Sequence, residues 1–307
     1  TVAVRRCMSC NHMCWCRRYR DYWISCLITP SPGREFEWGG YRVVAAAQPK
    51  TVLVVGGGVA GMEAARVAAE RGHKVMLAEA SDRLGGQFRL AGQQPRRQQI
   101  LDYIDWLERQ LTKLQVQVKL NAPMDGDEVK AFGADEVIVA TGSQPDMKGF
   151  QRGLPQFDAL PGVERGNVWS AEDVMAKRAS VGKHVILLDE TANWKGTGTA
   201  LALAEQGHAV TIVTGAATVM AEMARTSADI QARARLRQLG ATLLTEHVML
   251  EWHGNSAAVK ASGGQAYKID ADTLVIAATN VSERWVADDA GAATIGDASA
   301  ARTAAMA

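Results

Sequence analysis

The chain has 307 residues, of which 47% are hydrophobic and 22% are charged, and its formal net charge is +1. A chain of this length can bury cores in two or three lobes, and its charge gives no overall attraction to nucleic acid or to anionic membranes. No apolar run approaches the roughly 20 residues that span a bilayer, so we expect a soluble, cytoplasmic protein without membrane partners. The sequence starts with neither Met nor a targeting segment, which suggests a piece of a longer protein.

All five cysteines lie at the amino end of the chain. Cys7, Cys10 and Cys14 are spaced as C-x2-C-x3-C. Cys26 follows later and can close a cage of four thiolates. This clustering indicates metal ligation in a reducing compartment, because a disulfide-stapled secreted domain would spread its cysteines over the fold. The spacing favours an iron–sulfur cluster, with zinc as the alternative, although zinc sites with four cysteines usually pair two CxxC knuckles and only one is present. Cys16 is interpreted as a bystander.

Basic and aromatic side chains surround these cysteines. The basic residues are Arg5, Arg6, Arg17, Arg18 and Arg20, opposed only by Asp21, and the aromatic ones are Trp15, Tyr19, Tyr22 and Trp23. Such a patch can bind nucleic acid. We favour local compensation for the negative charge of a thiolate cluster, which needs no outside partner. Residues 27–50, rich in Pro and Gly, indicate a covering linker.

A strand, a glycine turn, a helix and a second strand are predicted between Thr51 and Arg89. Gly56, Gly58 and Gly61 have the GxGxxG spacing. In a dinucleotide site the first glycine allows the tight turn, the second lets the backbone approach a pyrophosphate, and the third lets the helix pack on the strand. Glu79 ends the second strand, where a carboxylate can accept both hydroxyls of an adenosine ribose. A plain glycine turn is the alternative, and the flanking elements favour the dinucleotide site.

Further elements follow in chain order. Apolar residues recur at helical spacing over residues 96–114, which predicts an amphipathic helix in which Trp106 packs. QVQVKL and DEVIVATG predict strands, and the second of these ends at Thr141 and Gly142. Near the carboxyl end, TLVIAA predicts a strand, and Gly296 and Asp297 form a turn that opens a helix.

Residues 166–270 repeat the rhythm of the first unit, even to GHAV against GHKV, which indicates an internal duplication. Asp189 and Glu190 stand where the first copy has its glycines, and the loop is two residues longer. Two carboxylates would repel a diphosphate, and Trp194 would obstruct its approach. A structural remnant is the preferred interpretation, with an unconventional NAD(P)H site as the alternative. The repeat ends in a predicted meander of short strands.

Several motifs together resemble one family. CMSCNHMC, CLITPSPGREFEWGG, GGGVAG and LGGQF look like the C-terminal part of the iron–sulfur flavoenzymes related to dienoyl-CoA reductase and trimethylamine dehydrogenase, over nearly the whole chain. The resemblance implies a 4Fe–4S cluster on Cys7, Cys10, Cys14 and Cys26. It also implies a preceding barrel that carries FMN and the substrate site. This chain lacks that barrel, so we expect a fragment or a separate subunit and nominate no catalytic residue.

The fold implied by the resemblance is α/β, with two Rossmann-like nucleotide-binding domains after a cysteine-rich iron–sulfur segment. In it, an FAD domain is interrupted by a NAD(P)-like domain. The expected divisions are 1–50 for the iron–sulfur segment and linker, 51–165 and 271–307 for the two parts of the FAD domain, and 166–270 for the degenerate NAD(P)-like domain. The last part is expected to end inside a helix, AARTAAMA.

The resemblance also implies roles for site residues. In similar flavoproteins the turn with Arg83, Gly85, Gly86 and Gln87 lies along FAD, and an Asp in the place of Asp297 bonds the ribityl chain. A plain loop and a simple N-cap are the alternatives. The predicted cofactor-binding residues are Gly56, Gly58, Val59, Ala60, Gly61, Glu79, Arg83, Gly86, Gln87, Thr141, Gly142 and Asp297.

Three functions compete. The first is the electron-transfer part of an FMN-dependent dehydrogenase or demethylase, with a 4Fe–4S cluster and FAD. The second is the NAD(P)H-oxidising half of a dienoyl-CoA-type reductase. The third is a structural module that binds only ADP. The expected partners are the FMN barrel, as a domain or a subunit, and an electron-transferring flavoprotein, within an oligomer.

Overall fold

The computed structural model describes residues 4–38 and 43–302. Part of the predicted linker and most of the predicted helix AARTAAMA therefore lie outside the described residues. The chain forms two compact units: the first comprises Thr1–Gly92, Gln98–Gln144 and Asn280–Ala307, and the second comprises Gln93–Arg97 and Pro145–Thr279. Over the residues described, no helix has both the length and the apolar character needed to cross a bilayer.

Helices and strands alternate along most of the described chain. The α-helices are α1 (Trp15–Arg18), α2 (Glu35–Trp38), α3 (Val59–Glu70), α4 (Gly86–Gly92), α5 (Gln98–Lys113), α6 (Gly126–Phe132), α7 (Ala171–Met175), α8 (Trp194–Glu205), α9 (Asp229–Gln238) and α10 (Trp285–Ala290). Short 3₁₀ helices span Val163–Arg165, Ala221–Thr226 and Gly296–Ala298.

The strands form two parallel sheets, an antiparallel meander and a two-stranded antiparallel pair of β5 and β14. They are β1 (Thr51–Val55), β2 (Lys74–Ala78), β3 (Gln117–Lys119), β4 (Glu136–Val139), β5 (Ser143–Gln144), β6 (Val168–Ser170), β7 (His184–Asp189), β8 (Ala209–Val213), β9 (Thr242–Leu244), β10 (His247–Trp252), β11 (Ser256–Ala261), β12 (Ala266–Asp270), β13 (Thr273–Ala277), β14 (Val281–Ser282) and β15 (Ala293–Thr294).

The first unit is built on a parallel sheet of order β15-β4-β1-β2-β3. Its central strand β1 is nearly all apolar, which is typical of a parallel strand covered on both faces. Val54 packs with Met62 of α3 and Ile104 of α5. Its neighbour Leu53 shares a second cluster with residues of α6 and α10. Because successive side chains of a strand point to opposite faces, this alternation puts helices on both sides of β1.

Helix α5 is the element that periodicity predicts best. Its observed span, Gln98–Lys113, lies inside the predicted range of 96–114. Ile100, Ile104, Leu107 and Leu111 are buried, as their spacing predicts. Trp106 is also buried in this core, which confirms its packing role.

The second unit has the same plan. Its parallel sheet has the order β6-β13-β7-β8-β9, with α8 packed against it. An antiparallel sheet of order β10-β11-β12 forms the predicted meander. The α/β class and the duplicated strand–helix–strand rhythm are therefore confirmed.

Strand β13 corrects the predicted organisation. The sequence interpretation placed TLVIAA in the second part of the FAD domain, from residue 271. The strand instead pairs in parallel with β7 and β6 of the second unit. The chain passes between the units at 92/93, 97/98, 144/145 and 279/280, whereas the predicted divisions lie at 165/166 and 270/271. An apolar run indicates a buried strand but does not specify its neighbours, which are distant in sequence.

His73 and His208, the histidines of GHKV and GHAV, make hydrogen bonds with the backbone at equivalent places in the two units. His73 Nδ1 accepts a hydrogen bond of 3.0 Å from Lys50 N, and His208 Nδ1 lies 2.7 Å from Gly182 O. His73 joins the residue before β1 to the start of β2, and His208 joins the loop before β7 to the start of β8. The pair supports the internal duplication.

Candidate functional site

The glycine turn between β1 and α3 is shaped by close backbone contacts. Gly56 has a φ of +107°, and a Cβ there would lie 2.3 Å from Ala140 O. A Cβ on Gly61 would lie 1.9 Å from Gly56 O. Both positions therefore need glycine for the fold itself, the first for its left-handed backbone and the second for the approach of helix to strand.

Gly58 is different, because its surroundings are open. Its backbone is extended, with φ −67° and ψ 175°, and a Cβ would meet nothing within 4 Å. It is the N-cap of α3, and no side chain caps this end of the helix. Val59 and Ala60 form the first turn and are only half buried. The first amides of this twelve-residue helix, which no side chain caps, and its positive dipole end thus lie beside the open position at Gly58, where an anionic group would be favoured.

Glu79 braces the glycine turn from the end of β2. Its Oε2 accepts a hydrogen bond of 2.6 Å from Gly57 N, and its Oε1 accepts bonds from the Ser81 amide at 2.7 Å and hydroxyl at 2.6 Å. A carboxylate offers about four lone-pair sites, so these bonds leave capacity for a ribose hydroxyl. The predicted acid is therefore beside the loop and is oriented by it.

The second glycine pair lies directly against the first turn. Gly85 N donates to Gly57 O at 2.8 Å, and a Cβ on Gly86 would lie 3.3 Å from Gly58 Cα. Arg83, from the same predicted turn, has a different partner: its guanidinium pairs with Asp82 and its side chain is 64% exposed. The structure therefore brings Gly86 to the glycine turn and engages Arg83 with a neighbouring carboxylate.

A polar cluster joins predicted and unpredicted residues. Gln87 Nε2 donates to Ser143 O at 2.5 Å, and Asn280 Nδ2 donates to Gln87 Oε1 at 3.0 Å. Ser143 Oγ and Asp297 Oδ2 are 3.2 Å apart. Sequence reasoning missed Ser143 and Asn280. The available signals were that Ser143 directly follows the Ala-Thr-Gly turn, and that Asn280 comes two residues after the end of a buried run.

Two further turns complete the rim of this site. The Thr141 hydroxyl donates to Glu283 O at 2.6 Å, and Glu283 N donates to Gly142 O at 2.9 Å. A Cβ on Gly296 would lie only 2.7 Å from the Cβ of Ala60, so the Gly296 turn sits on the first turn of α3. The helix predicted after this turn is a single 3₁₀ turn in the described residues. Segments distant in sequence thus converge on the amino end of α3.

The equivalent place in the second unit is built differently. Helices α3 and α8 both have twelve residues, and matching them puts Asn193 at the place of Gly58 and Gly196 at that of Gly61. The same match puts Thr214 at the place of Glu79. The packing glycine is thus retained, whereas Gly58 and the acid at the end of β2 are replaced.

Asp189 does not act as the sequence suggested. It is fully buried, and its Oδ1 accepts bonds from the amide and hydroxyl of Thr191 and from Ala192 N. Burial raises the pKa of its carboxyl. The expectation that both carboxylates repel a diphosphate is therefore wrong for Asp189, which points into its own turn. The Glu190 carboxylate forms an ion pair with the Arg152 guanidinium, in which Glu190 Oε2 and Arg152 Nε are 3.4 Å apart.

The start of α8 is covered by the segment Gln93–Arg97 of the same unit. The Arg97 guanidinium lies 4.3 Å from the Trp194 ring centre, and Gln94 Nε2 donates to Trp194 O at 3.0 Å. Trp194 itself packs half-buried on the core. The open approach seen at Gly58 is therefore replaced here by packed side chains.

The predicted metal ligands lie near one another in the first unit. Burial raises the pKa of the Cys10 thiol; a hydrogen bond from His12 N opposes this, and the thiols of Cys14, Cys26 and Cys7 add to it. Cys10 and Cys26 also pack against the core of the first unit. In residues 4–38 and 43–302, no three His, Cys, Asp or Glu side chains are arranged to hold a metal ion.

Arg5 has a different partner from the one that the sequence predicts. Arg5 was expected to compensate the thiolates, but its guanidinium pairs with Glu63 of α3 at 3.5 Å. Arg18, in contrast, has a side chain that is 70% exposed, and it pairs with Asp21 at 3.9 Å.

These features define two α/β units of one plan, the first with an open glycine turn at the start of a helix, and comparisons with known proteins identify the family. A profile of the pyridine nucleotide-disulphide oxidoreductase family matches residues 50–299. Cinnamate reductase of Clostridium sporogenes is 43% identical over 210 residues, covering 68% of this chain and 29% of its own length. N,N-dimethylglycine/sarcosine dehydrogenase of Chromohalobacter salexigens is 36% identical over 215 residues, covering 70% of this chain and 30% of its own length.

A solved structure extends the match to almost the whole chain. Histamine dehydrogenase from Rhizobium sp. 4-9 superposes with a TM-score of 0.91 at 27% identity, covering 98% of this chain and 49% of its own. This chain therefore spans less than half the length of each of these relatives. It belongs to the pyridine nucleotide-disulphide oxidoreductase family and corresponds to the C-terminal, FAD-type part of the iron–sulfur flavoenzymes, as the sequence resemblance indicated. It is an oxidoreductase or part of one.

Proposed function

We propose that this chain is the electron-transfer portion of an FMN-dependent oxidoreductase of the amine dehydrogenase or demethylase type. FAD binds at the glycine turn of the first unit, and a 4Fe–4S cluster binds to Cys7, Cys10, Cys14 and Cys26. The FMN and the substrate site belong to a barrel, as a domain or as a partner subunit. The observation that carries the proposal is the open position at Gly58, at the uncapped end of α3.

The residues around Gly58 fit a dinucleotide. A pyrophosphate there would receive the amides of Val59 and Ala60 and the positive end of the helix. Glu79, held by Gly57, would accept the adenosine ribose. Bound at these places, FAD and the cluster would supply electron transfer in single steps, while the side chains bind and orient them.

The polar cluster supports FAD over ADP. Gln87, Ser143, Asn280 and Asp297 form a connected set of donors and acceptors on the rim of the same site. A ribityl chain offers several hydroxyls to such groups, whereas ADP ends at its diphosphate. The position of Gly296 against Ala60 brings this set to the helix that would hold the pyrophosphate.

The cysteine segment, defined here as residues 5–28, supplies a donor set that suits iron and sulfide. Ser9 N lies 3.3 Å from Cys7 Sγ, and Cys10 receives a hydrogen bond from His12 N. Amides that donate to sulfur stabilise thiolates and tune the potential of a cluster. Four thiolates without disulfide pairing need the reducing compartment that we propose, the cytoplasm.

One observation favours a second candidate, the NAD(P)H-oxidising half of a dienoyl-CoA-type reductase. The second unit keeps the parallel sheet, α8 and the packing glycine Gly196, and a reductase is 43% identical. Asn193 at the approach position, Thr214 at the acid position and the covered start of α8 argue for a remnant instead. We therefore rank the dehydrogenase-type function first.

Purification without oxygen, with cluster reconstitution, separates these functions. The proposal expects FAD to be released on denaturation, together with a broad iron–sulfur absorption, and expects NADH or NADPH to leave the flavin oxidised. Rapid bleaching by either nucleotide would favour the reductase-type function. Recovery of ADP without FAD would favour a structural module, and recovery of no adenine nucleotide would contradict the site.

A further inference from the structure

Arg5 connects the two ends of the cysteine segment. It lies two residues before Cys7, and its guanidinium donates a hydrogen bond to Ile28 O, two residues after Cys26. Its side chain is only 12% exposed, although the neighbouring residues Arg6 and Cys7 are exposed. A single guanidinium thus closes the loop that contains the four thiols.

The same guanidinium contacts two helices of the first unit. It pairs with Glu63 of α3 at 3.5 Å and lies 4.1 Å from the Trp106 ring centre on α5. Arg66 of α3 stands 5.9 Å from that ring centre and holds Glu63 with two bonds of 2.8 Å. A planar guanidinium with several donors suits three simultaneous contacts, one with a carbonyl, one with a carboxylate and one with a ring face.

We infer that Arg5 is a positioning residue for the iron–sulfur site, an inference that rests on the proposed function. It fastens both ends of the cysteine segment to α3, the helix whose first turn faces the dinucleotide position. The thiols and the glycine turn are thereby held on one rigid element. Without Arg5 the segment would keep its cysteines but lose this attachment, and the ligands would move relative to α3.

The surroundings make this inference testable by substitution. Arg5→Ala leaves Glu63 with both hydrogen bonds from Arg66, so no buried carboxylate loses all its partners and the unit is expected to fold. Arg5→Lys keeps the charge, but an ammonium cannot reproduce the three contacts. Arg18→Ala is the matched control, because it removes the same charge from an exposed side chain of the same segment.

The experiment uses anaerobically reconstituted protein and measures the removal of iron by a ferrous chelator and the electron paramagnetic resonance spectrum of the reduced protein. In Arg5→Ala, iron removal should accelerate about tenfold or more, the change that follows the loss of one modest anchoring interaction, and the spectrum should broaden or shift. Arg5→Lys should lie between the wild type and Arg5→Ala. Arg18→Ala should resemble the wild type in both measurements.

Hydrogen exchange of the metal-free protein provides a readout that does not depend on the cluster. Exchange over residues 7–28 should be faster in Arg5→Ala than in Arg18→Ala. Equal iron removal, equal spectra and equal exchange in the two variants would overturn the inference. Wild-type protein that holds no iron and sulfide would instead refute the proposed function, so the two failures are distinct.

Discussion

Three glycines of the first unit have separate physical roles, although they belong to one motif. Gly56 and Gly61 are enclosed by backbone atoms, whereas Gly58 faces open space with an extended backbone that any residue adopts. A motif match cannot make this distinction, because it reports spacing only. The structure therefore separates the two glycines that the fold needs from Gly58, which the fold does not need and which the proposed function assigns to the ligand.

Gly58→Val should remove nucleotide binding and spare the fold. The Cβ of the new side chain would stand where the pyrophosphate must lie, and it would meet no protein atom within 4 Å. FAD content after gel filtration should fall to near zero, while the thermal unfolding of the apoprotein changes little. Gly215→Val, also an open position without a positive φ, is the control and should keep FAD. Full FAD occupancy in Gly58→Val would remove the site from Gly58.

Gly61→Ala should have the opposite outcome. The added methyl would meet Gly56 O at 1.9 Å, and backbone atoms cannot move aside as a flexible side chain can. We expect a loss of about 1 to 3 kcal/mol in the free energy of unfolding of the apoprotein, the usual range for overpacking. Urea unfolding monitored by circular dichroism would measure it. An apoprotein as stable as the wild type would contradict the close helix–strand contact.

Asp189 should make the second unit less stable as the pH rises. Burial raises the pKa of its carboxyl above the ordinary 3.8, so the folded state binds its proton more tightly than the unfolded state. Its contribution is therefore fully present below the unfolded pKa and is lost as the pH rises through the folded pKa. Asp189→Asn mimics the neutral form and should flatten this part of the pH profile.

Unfolding free energies measured between the unfolded and the folded pKa of Asp189 would show whether stability falls as the pH rises. Asp127→Asn is the exposed control, since its side chain is 98% accessible, and it should leave the profile unchanged. An Asp189→Asn profile parallel to that of the wild type would show that Asp189 is ionised in the folded protein.

At the scale of elements, we predict that Cys16, the fifth thiol of the cysteine segment, is not a ligand of the cluster. Cys16→Ser should retain iron and acid-labile sulfide, because four other thiols supply the ligands. Cys14→Ser should lose most of both, since a cluster with three thiolates is readily released. Iron and sulfide assays of the two variants are the measurement. Loss in Cys16→Ser together with retention in Cys14→Ser would show that the ligand set was assigned wrongly.

Local patterns predicted the elements well, because short-range physics determines them. The 3.6-residue spacing gave α5 to within two residues at each end, and the glycine spacing gave the turn before α3. Contacts between distant segments were not predictable in the same way. The pairing of β13 with β7, the burial of Asp189 and the meeting of Ser143 with Asn280 depend on neighbours that no local window contains.

At the scale of the whole molecule, the two units share one plan and differ at the ligand-facing positions. The first unit keeps Gly58 open and Glu79 beside it, while the second has Asn193 and Thr214 there. Duplication thus preserves the packing positions, because the fold requires them, and leaves the binding positions free to change. This contrast underlies the expectation that one unit binds FAD and the other serves as a remnant.

The most direct test of the central claim is a joint assay of metal, sulfide and flavin in wild-type protein handled without oxygen. The account predicts about four iron atoms and four acid-labile sulfides per chain, together with about one FAD. Zinc in place of iron, or protein that takes up neither metal nor flavin, would contradict it.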